Sequence, residues 1–379
     1  LAVAESLKAL DPVAEILYIG QANSMEARVS AAAGLDFAAI KAGKFRRLHG
    51  ANVFSKLLNP ATLHLNARDL GRLVSGVGGS LQILRTWKPD VVFVKGGFVG
   101  LPVGLAAKLL GIPYIIHESD VSPGLTNRIL GKWALKVATG FPVKSYHDFP
   151  PAKMVYVGNP VREELLRAHR LDGLVKFKLE QKLPVVLVTG GSLGAVTVND
   201  VMLDSAHLLL DHCQIIHLTG EADFERVKFE LGRMKLEHAD RYHIYSFLMG
   251  DMAKALAVAD VVVARAGANT IAELAALGKP TVLIPNYLMA GHQTENAKQL
   301  ARVGAARVID EPSLTPELLA GEVDRILESE EEQRALSTAI RTFAKADANE
   351  ELARLILEVG ASRRHKAGGK DKPDSGRDE

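Results

Sequence analysis

Short β-branched runs alternate along this chain with longer stretches in which apolar residues recur at helical spacing. In the first half "EILYIG", "VVFVK", "PYIIHE" and "MVYVG" predict strands. In the second, "PVVLVTG", "QIIHLTG", "YHIYSF", "DVVVAR" and "PTVLIP" do the same. Between them, "GLAAKLLG", "NDVMLDSAHLLL" and "ENAKQLARVG" predict amphipathic helices. Strands alternating with helices imply an α/β protein with parallel sheets covered on both faces. An internal echo adds to this. "VVFVKGGFVGLPVGLAAKLLGIPYII" (Val91–Ile116) and "ARAGANTIAELAALGKPTVLIP" (Ala264–Pro285) share one plan: strand, glycine turn, Ala/Leu helix, Gly-x-Pro, strand. One such unit in each half suggests two doubly wound domains facing each other, although βαβ units resemble one another in any α/β protein.

"VGNPVREEL" is the expected junction, because Asn-Pro breaks structure just before a new helix. The expected domains are therefore 1–160 and 161–345. A helical pattern from about Ser337 to Val359 follows, and its part from 346 to 360 is expected to pack back on the first domain. The remainder, 361–379, is polar, Gly-rich and charged, and reads as a disordered tail. "LAVAESLKAL" reads as the middle of an amphipathic helix, so the expectation is that sequence is missing upstream of Leu1.

Composition narrows this picture without redirecting it. The 379 residues are 47% hydrophobic and 24% charged, which is globular usage. A formal net charge of +2 gives no global argument for nucleic acid. The single cysteine, Cys213, excludes an intramolecular disulfide and any Cys-rich zinc site, and fits a reducing compartment. No apolar run approaches the ~20 residues that span a bilayer.

Candidate chemistry sits where strands end. In "ARAGANTIAEL", Gly267 lets the backbone turn or approach a ligand, and Asn269 and Thr270 share a helix face with Glu273. The same residues fit a capping box from Thr270 to Glu273, so a ligand grip and a helix cap both stand. "GKPT" is no Walker A motif: position 273 holds Glu where that motif needs Gly, and the Gly-Lys ends a helix. "VVLVTGGSLGAVTVND" sets Gly190, Gly191, Ser192 and Gly194 between a strand and a helix, an arrangement suited to phosphate. It lacks the full dinucleotide fingerprint. "IIHESDVSPGLTN" brings His117, Glu118 and Asp120 to a strand end, with Asn127 beyond. HExxH is absent and the residues lie on a turn, so zinc is rejected. "AGHQTENAKQL" opens a helix with His292, Gln293 and Asn296, the last two suited either to sugar hydroxyls or simply to a helix start. "KAGKFRRLHGANVFSKLL" interleaves Lys44, Arg46, Arg47 and Lys56 with Phe45 and Phe54. That suits an anionic lipid surface, or a solvated basic loop over a local core.

Taken in series, "GGFVGLPVGLAAKLLGIP", "HESDVSPGLTN", "VGNPVR", "TGGSLGA", "DMAKALAVADVVVARAGANTIAEL" and "HQTENAKQL" resemble the MurG family of glycosyltransferases, from Leu1 to about Val359. The resemblance implies a GT-B fold, two Rossmann-like domains with parallel sheets across a cleft. It implies inverting transfer of N-acetylglucosamine from UDP-GlcNAc to the C4 hydroxyl of lipid I, giving lipid II for peptidoglycan. The donor belongs to the C-terminal domain and the lipid acceptor to the N-terminal one.

By position, Glu273 looks like the acid gripping the ribose hydroxyls, and Gly191, Ser192 and Gly194 like the diphosphate loop. Arg162 resembles the arginine near uracil and phosphates, while Phe247 and Leu248 border the uracil. Ala268, Asn269 and Thr270 lie along phosphate and sugar, and His292 and Gln293 match a pair on the sugar hydroxyls. Gly96, Gly97, His117, Glu118, Asp120 and Asn127 fall on the acceptor or sugar side. His117-Glu118-Ser119-Asp120 stands where many relatives have His-Glu-Gln-Asn, which leaves the Asp120 contact open. The family's first glycine loop, with the histidine usually proposed as base, is expected upstream of Leu1, so no catalytic base is assigned. The resemblance implies no cofactor, no obligatory site metal and no nucleic acid partner. It implies a peripheral place on the cytoplasmic face of the plasma membrane, an anionic surface, and association with cell-wall synthesis and division proteins. Alternatives are another lipid-directed transferase of the diacylglycerol glucosyltransferase type, a UDP-GlcNAc 2-epimerase, or a non-catalytic UDP-sugar-binding relative.

Overall fold

The computed structural model describes residues 1–43, 60–191, 194–248, 250–287 and 291–368. The membrane candidates Lys44, Phe45, Arg46, Arg47, Phe54 and Lys56, and the loop residue Ser192, lie outside them. The chain forms two compact units: Leu1–Gly158 with the segment from Asp347 onward, and Asn159–Ala346.

In the first unit β1 (Leu17–Gly20) pairs in parallel with β2 (Asp36–Ala39). A separate parallel sheet runs in the order β3 (Val92–Val94), β4 (Tyr114–Glu118), β5 (Lys136–Thr139), β6 (Met154–Tyr156). Ile115, Ala138 and Val157 from this sheet region form one core with Leu352, Leu355, Ile356 and Val359 of the last helix, Ala348–Gly368. Val3 and Leu7 of the helix Ala2–Leu10 pack onto the same core. Leu352 and Ile356 are four residues apart, so one stripe of the last helix is apolar and meets the sheet. Arg363 donates to the Pro89 carbonyl at 2.5 Å. The helix runs to Gly368, past the position 361 at which the polar composition predicts the tail.

The second unit carries a six-stranded parallel sheet. Its order is β12 (Arg307–Val308), β11 (Thr281–Leu283), β10 (Val261–Ala264), β7 (Val185–Thr189), β8 (Gln214–Leu218), β9 (Tyr242–Tyr245). The chain walks outward from β7 to β9, returns to the other flank of β7, and walks outward again through β10 to β12. Strand order therefore reverses between β7 and β10, the place where ligands bind in open α/β sheets. Val185, Val186, Leu187 and Val188 are wholly buried, as a central strand covered on both faces requires. Burying each such side chain stabilises the unit by about 1.5–3 kcal/mol before conformational entropy is counted.

Two differences from the sequence reading have physical causes. β2 ("DFAA"), β5 ("KVAT") and the two-residue β12 are strands without a long apolar run, and were not expected. The single helix expected over Ser337–Val359 is two, Glu330–Arg341 and Ala348–Gly368. Arg341 donates to the Leu277 carbonyl at 3.0 Å, which ties the end of the first helix to the second unit. The chain then leaves that unit, and the helix breaks there. Among the described residues no helix is long and apolar enough to cross a membrane.

Candidate active site

The loops after β7 and β10 leave the two strands of the switch point, the loop after β11 leaves the strand next to β10, and each enters a helix. After β7 the turn is tight: a Cβ on Gly190 would lie 2.5 Å from the Ala195 nitrogen. Gly194 has φ +74, and a Cβ there would lie 2.5 Å from the Thr219 carbonyl oxygen. The helix Val196–Asp204 then starts from Ala195, with no side chain capping its first turn. The helix Ala268–Leu277 starts from Gly267 and the helix His292–Ala301 from Gly291, again without a side-chain cap. Uncapped first-turn N–H groups carry partial positive charge, and such groups bind anions.

The capping box between Thr270 and Glu273 is not formed. The helix begins three residues earlier than that reading requires, with Gly267 as the cap, so both side chains lie within the helix. Ile271, Leu274 and Ala275 are buried on its core face. On the other face Asn269 is exposed, with Thr270 and Glu273 half-buried. The Glu273 carboxylate meets the Arg162 Nη2 at 3.4 Å, and Arg162 Nη1 also reaches Glu164 at 2.8 Å. Burial raises the Glu273 carboxyl above its ordinary range, opposed by the Arg162 charge. Two residues 111 apart in sequence thus meet at one point.

Gln293 is committed through its Oε1, which accepts from the Asn286 N–H at 2.8 Å. Neighbouring His292 is half-buried at the helix start. Asn296 corrects the sequence reading: it is wholly buried and donates to the Ala266 carbonyl at 3.1 Å, so it fastens the β10 loop and is closed to a sugar. Phe247 is exposed and Leu248 half-buried just past β9. Gly191 is exposed in the β7 loop, and Ala268 is buried at the start of its helix.

Sequence reasoning missed Arg265 and Glu311. Arg265, 8% exposed, donates to the Ile284 carbonyl at 3.1 Å and to Glu311 at 2.5 Å. Glu311 also accepts from the Tyr287 N–H at 3.4 Å. Burial alone would raise the Glu311 carboxyl; Arg265 outweighs it and holds the group below its usual range. The pair clasps the ends of β10 and β11 together. The only signal was an arginine directly after an apolar strand, and its partner lies 46 residues away.

In the first unit the polar residues after β4 close on one another. His117 is wholly buried: Nε2 donates to the Gly158 carbonyl at 2.9 Å, and Nδ1 faces the Ser119 hydroxyl at 3.3 Å. Burial, then the Lys95 charge, push its pKa down to about 3 against that hydrogen bond. Glu118 accepts from the Asp120 N–H at 3.0 Å, the Gly124 N–H at 2.9 Å and the Asn127 Nδ2 at 2.9 Å. Burial still raises its carboxyl. Asp120 stands half-buried on the turn so formed. Asn127 also donates to the His117 carbonyl at 3.0 Å, while its buried Oδ1 has no hydrogen-bond partner. That amide lies against Gly96, where φ is +92; Gly97 follows with φ +74 and opens the helix Gly97–Leu109. Among the described residues no group of three His, Cys, Asp or Glu side chains is placed to hold a metal ion.

Both halves match glycosyltransferase models: the Glycosyltransferase family 28 N-terminal domain over residues 1–139, and the family 28 C-terminal domain over 185–352. Parallel sheets in two units and these matches define a GT-B glycosyltransferase. The chain is 36% identical over 366 residues to a protein of Listeria welshimeri, covering 95% of each. That protein is named UDP-N-acetylglucosamine--N-acetylmuramyl-(pentapeptide) pyrophosphoryl-undecaprenol N-acetylglucosamine transferase. The crystal structure of Acinetobacter baumannii MurG matches with a TM-score of 0.69 at 27% identity, over 94% of both chains. The chain belongs to the MurG family. The UDP-GlcNAc 2-epimerase of Neisseria meningitidis, at 12% identity and TM-score 0.65 over 94% of this chain and 95% of its own, shares the fold alone.

Proposed function

We propose that this chain transfers N-acetylglucosamine from UDP-GlcNAc to the C4 hydroxyl of undecaprenyl-diphospho-N-acetylmuramoyl-pentapeptide, lipid I, releasing UDP and forming lipid II. The observation that carries the reading is the switch point of the second unit. There, uncapped helix starts follow β7 and β10, and the Arg162–Glu273 pair stands beside one of them.

In this reading Glu273 gives up its Arg162 contact in part and accepts hydrogen bonds from the ribose hydroxyls. Gly191, Ser192 and Gly194 bring the first N–H groups of the helix Val196–Asp204 to the diphosphate. Charge grows on that diphosphate as the glycosidic bond breaks, so fixed donors and the Arg162 guanidinium stabilise the transition state more than the bound substrate. Ala268, Asn269 and Thr270 line the phosphate and sugar, and His292 and Gln293 the sugar hydroxyls. Phe247 and Leu248 border the uracil.

The acceptor is proposed to bind the first unit, with its diphosphate at the main-chain N–H groups around Gly96 and Gly97 and a sugar hydroxyl donating to the unpartnered Asn127 oxygen. Glu118 holds the Asp120 turn in place for this. The hydroxyl proton must pass to a base. His117 is not that base: both ring nitrogens face partners, and its depressed pKa makes it a poor proton acceptor. No step of this scheme requires a metal.

The deciding experiment incubates the protein with labelled UDP-GlcNAc and a soluble lipid I analogue. The expected result is labelled disaccharide product and stoichiometric UDP. Donor binding without any transferred sugar would leave only the non-catalytic reading.

The lipid carrier of the acceptor implies peripheral docking at the cytoplasmic face of the plasma membrane. Support comes from a patch on the first unit where Leu109, Trp133 and Leu135 are exposed and the Lys108 ammonium lies 3.2 Å from the Trp133 ring centre. Exposed Lys132 adjoins it. Aromatic and aliphatic tips with lysine beside them suit an anionic lipid surface. Trp133 fluorescence is expected to shift to the blue with phosphatidylglycerol vesicles and not with phosphatidylcholine alone. The triple variant Leu109→Ala, Trp133→Ala, Lys132→Ala should bind such vesicles about tenfold more weakly, roughly the sum of two buried apolar tips and one charge discounted for partial insertion. Its transfer to a water-soluble acceptor should be unchanged; unchanged vesicle binding would place the membrane face elsewhere.

A further inference from the structure

We infer that Asn199, His217 and Tyr242 form a buried positioning network that sets the β7 loop and the first turn of its helix at the distance a diphosphate needs. The inference rests on the donor reading above and names residues to which that reading gives no part.

The network runs across three elements. Tyr242 opens β9, His217 lies in β8, and Asn199 is in the first turn of the helix Val196–Asp204. Asn199 and His217 are wholly buried, and Tyr242 is 5% exposed. Asn199 Nδ2 donates to the Thr219 carbonyl at 3.0 Å and to Asp223 Oδ2 at 2.6 Å. Two acceptors on one side fix the amide orientation, which leaves Oδ1 facing His217 Nε2 at 3.0 Å. That nitrogen must carry the proton, since an amide oxygen only accepts. Nδ1 is then the acceptor for the Tyr242 hydroxyl at 2.9 Å. Every polar atom of the Asn199 and His217 side chains is used, Nδ2 of Asn199 twice, and the tautomer is set by the chain of bonds. Burial keeps the ring neutral, with its pKa pushed down to about 3.

The output of this network is the Thr219 carbonyl. It accepts from Asn199, and the same oxygen is what a Cβ on Gly194 would strike. The Thr219 N–H is held by the Tyr245 carbonyl at 3.0 Å, so this piece of backbone is fixed from both sides. Asn199 therefore ties the helix to the wall against which Gly194 rests. A satisfied buried network of this kind rigidifies its surroundings, and one missing member leaves costly unpaired groups. The uridine side of the proposed donor site draws on other elements, after β9 and β10. A fault in the network should thus be felt by the diphosphate and not by the nucleoside.

The test compares uridine and UDP binding by titration calorimetry or ligand-observed NMR. For Asn199→Ala, UDP is expected to bind about tenfold more weakly, one buried donor set lost, while uridine stays within about twofold. KM for UDP-GlcNAc should rise by a similar factor with kcat changed much less. His217→Phe keeps an aromatic ring, somewhat larger than the imidazole, and removes both the N–H and the acceptor nitrogen; it is expected to cost UDP affinity about fivefold. It serves as the second variant where Asn199→Ala does not fold, each being checked by its melting curve. Equal losses for uridine and UDP, or unchanged UDP affinity in either folded variant, would overturn the inference. A wild-type protein that binds neither ligand would overturn the donor reading itself, and this inference with it.

Discussion

Glu273→Ala is expected to raise KM for UDP-GlcNAc about 100-fold while leaving kcat and acceptor affinity nearly unchanged. A charged carboxylate that accepts two hydroxyl hydrogen bonds contributes about 3 kcal/mol, which is roughly two factors of ten in affinity. The alternative explanation, a weakened helix, does not compete. Glu273 lies inside the helix Ala268–Leu277 with no cap to lose, and alanine is the better helix former. Its ion pair with Arg162 is a loose one at 3.4 Å, with the arginine side chain 47% exposed, and such pairs are worth about 0–1 kcal/mol. Melting should therefore move little.

The pH dependence has a definite sign. Burial raises the Glu273 pKa, so acidification neutralises the carboxylate earlier than it would a free glutamate. Donor affinity should fall as pH drops, beginning above the ordinary carboxylate value of about 4.3. Glu273→Gln should lose that acid limb along with most of the affinity. Equal loss of donor and acceptor binding in Glu273→Ala would contradict the assignment of the donor to the second unit.

What could be read from the sequence follows from which interactions are local. The β-branched runs gave nine strands because covered parallel strands are apolar along their length. β2, β5 and β12 escaped, since "DFAA", "KVAT" and a two-residue strand owe their state to neighbours in the sheet. The glycines of the β7 loop were legible as a class: a turn between strand and helix needs residues without a Cβ. Their individual reasons were not. Gly190 yields to the Ala195 nitrogen and Gly194 to the Thr219 carbonyl, and the latter contact comes from the residue just past β8, far along the chain. Polar helix residues were the hardest to sort. Gln293 and Asn296 are three apart and chemically alike, yet Asn296 turns into the core and fastens Ala266. His117 and Glu118 looked alike as polar groups at a strand end, yet His117 spends Nε2 on the Gly158 carbonyl while Glu118 accepts from the Asp120 and Gly124 N–H groups of the turn. Periodicity gives the face of a helix, but a buried polar side chain is specified by its partner, and that partner is set by topology.

Gly194→Ala is expected to lower kcat/KM about 100-fold, almost all of it through UDP-sugar binding, whereas Gly191→Ala should cost only about tenfold. Both glycines have positive φ, +81 at Gly191 and +74 at Gly194, so alanine at either carries the same left-handed strain of about 1–2 kcal/mol. The difference is space. Nothing lies within 4 Å of a Cβ on Gly191, while one on Gly194 meets the Thr219 carbonyl at 2.5 Å. Thr219 is wholly buried, with its N–H bonded to Tyr245 and its carbonyl to Asn199, and it cannot retreat. The loop must move instead, and it carries the start of the helix Val196–Asp204 with it. An N–H displaced by a large fraction of an ångström no longer meets a phosphate oxygen at hydrogen-bond distance. Measuring UDP affinity for both variants separates strain from displacement: a loss of equal size at the two positions would mean that the loop yields without moving the helix, and that the diphosphate is held by something other than those main-chain donors.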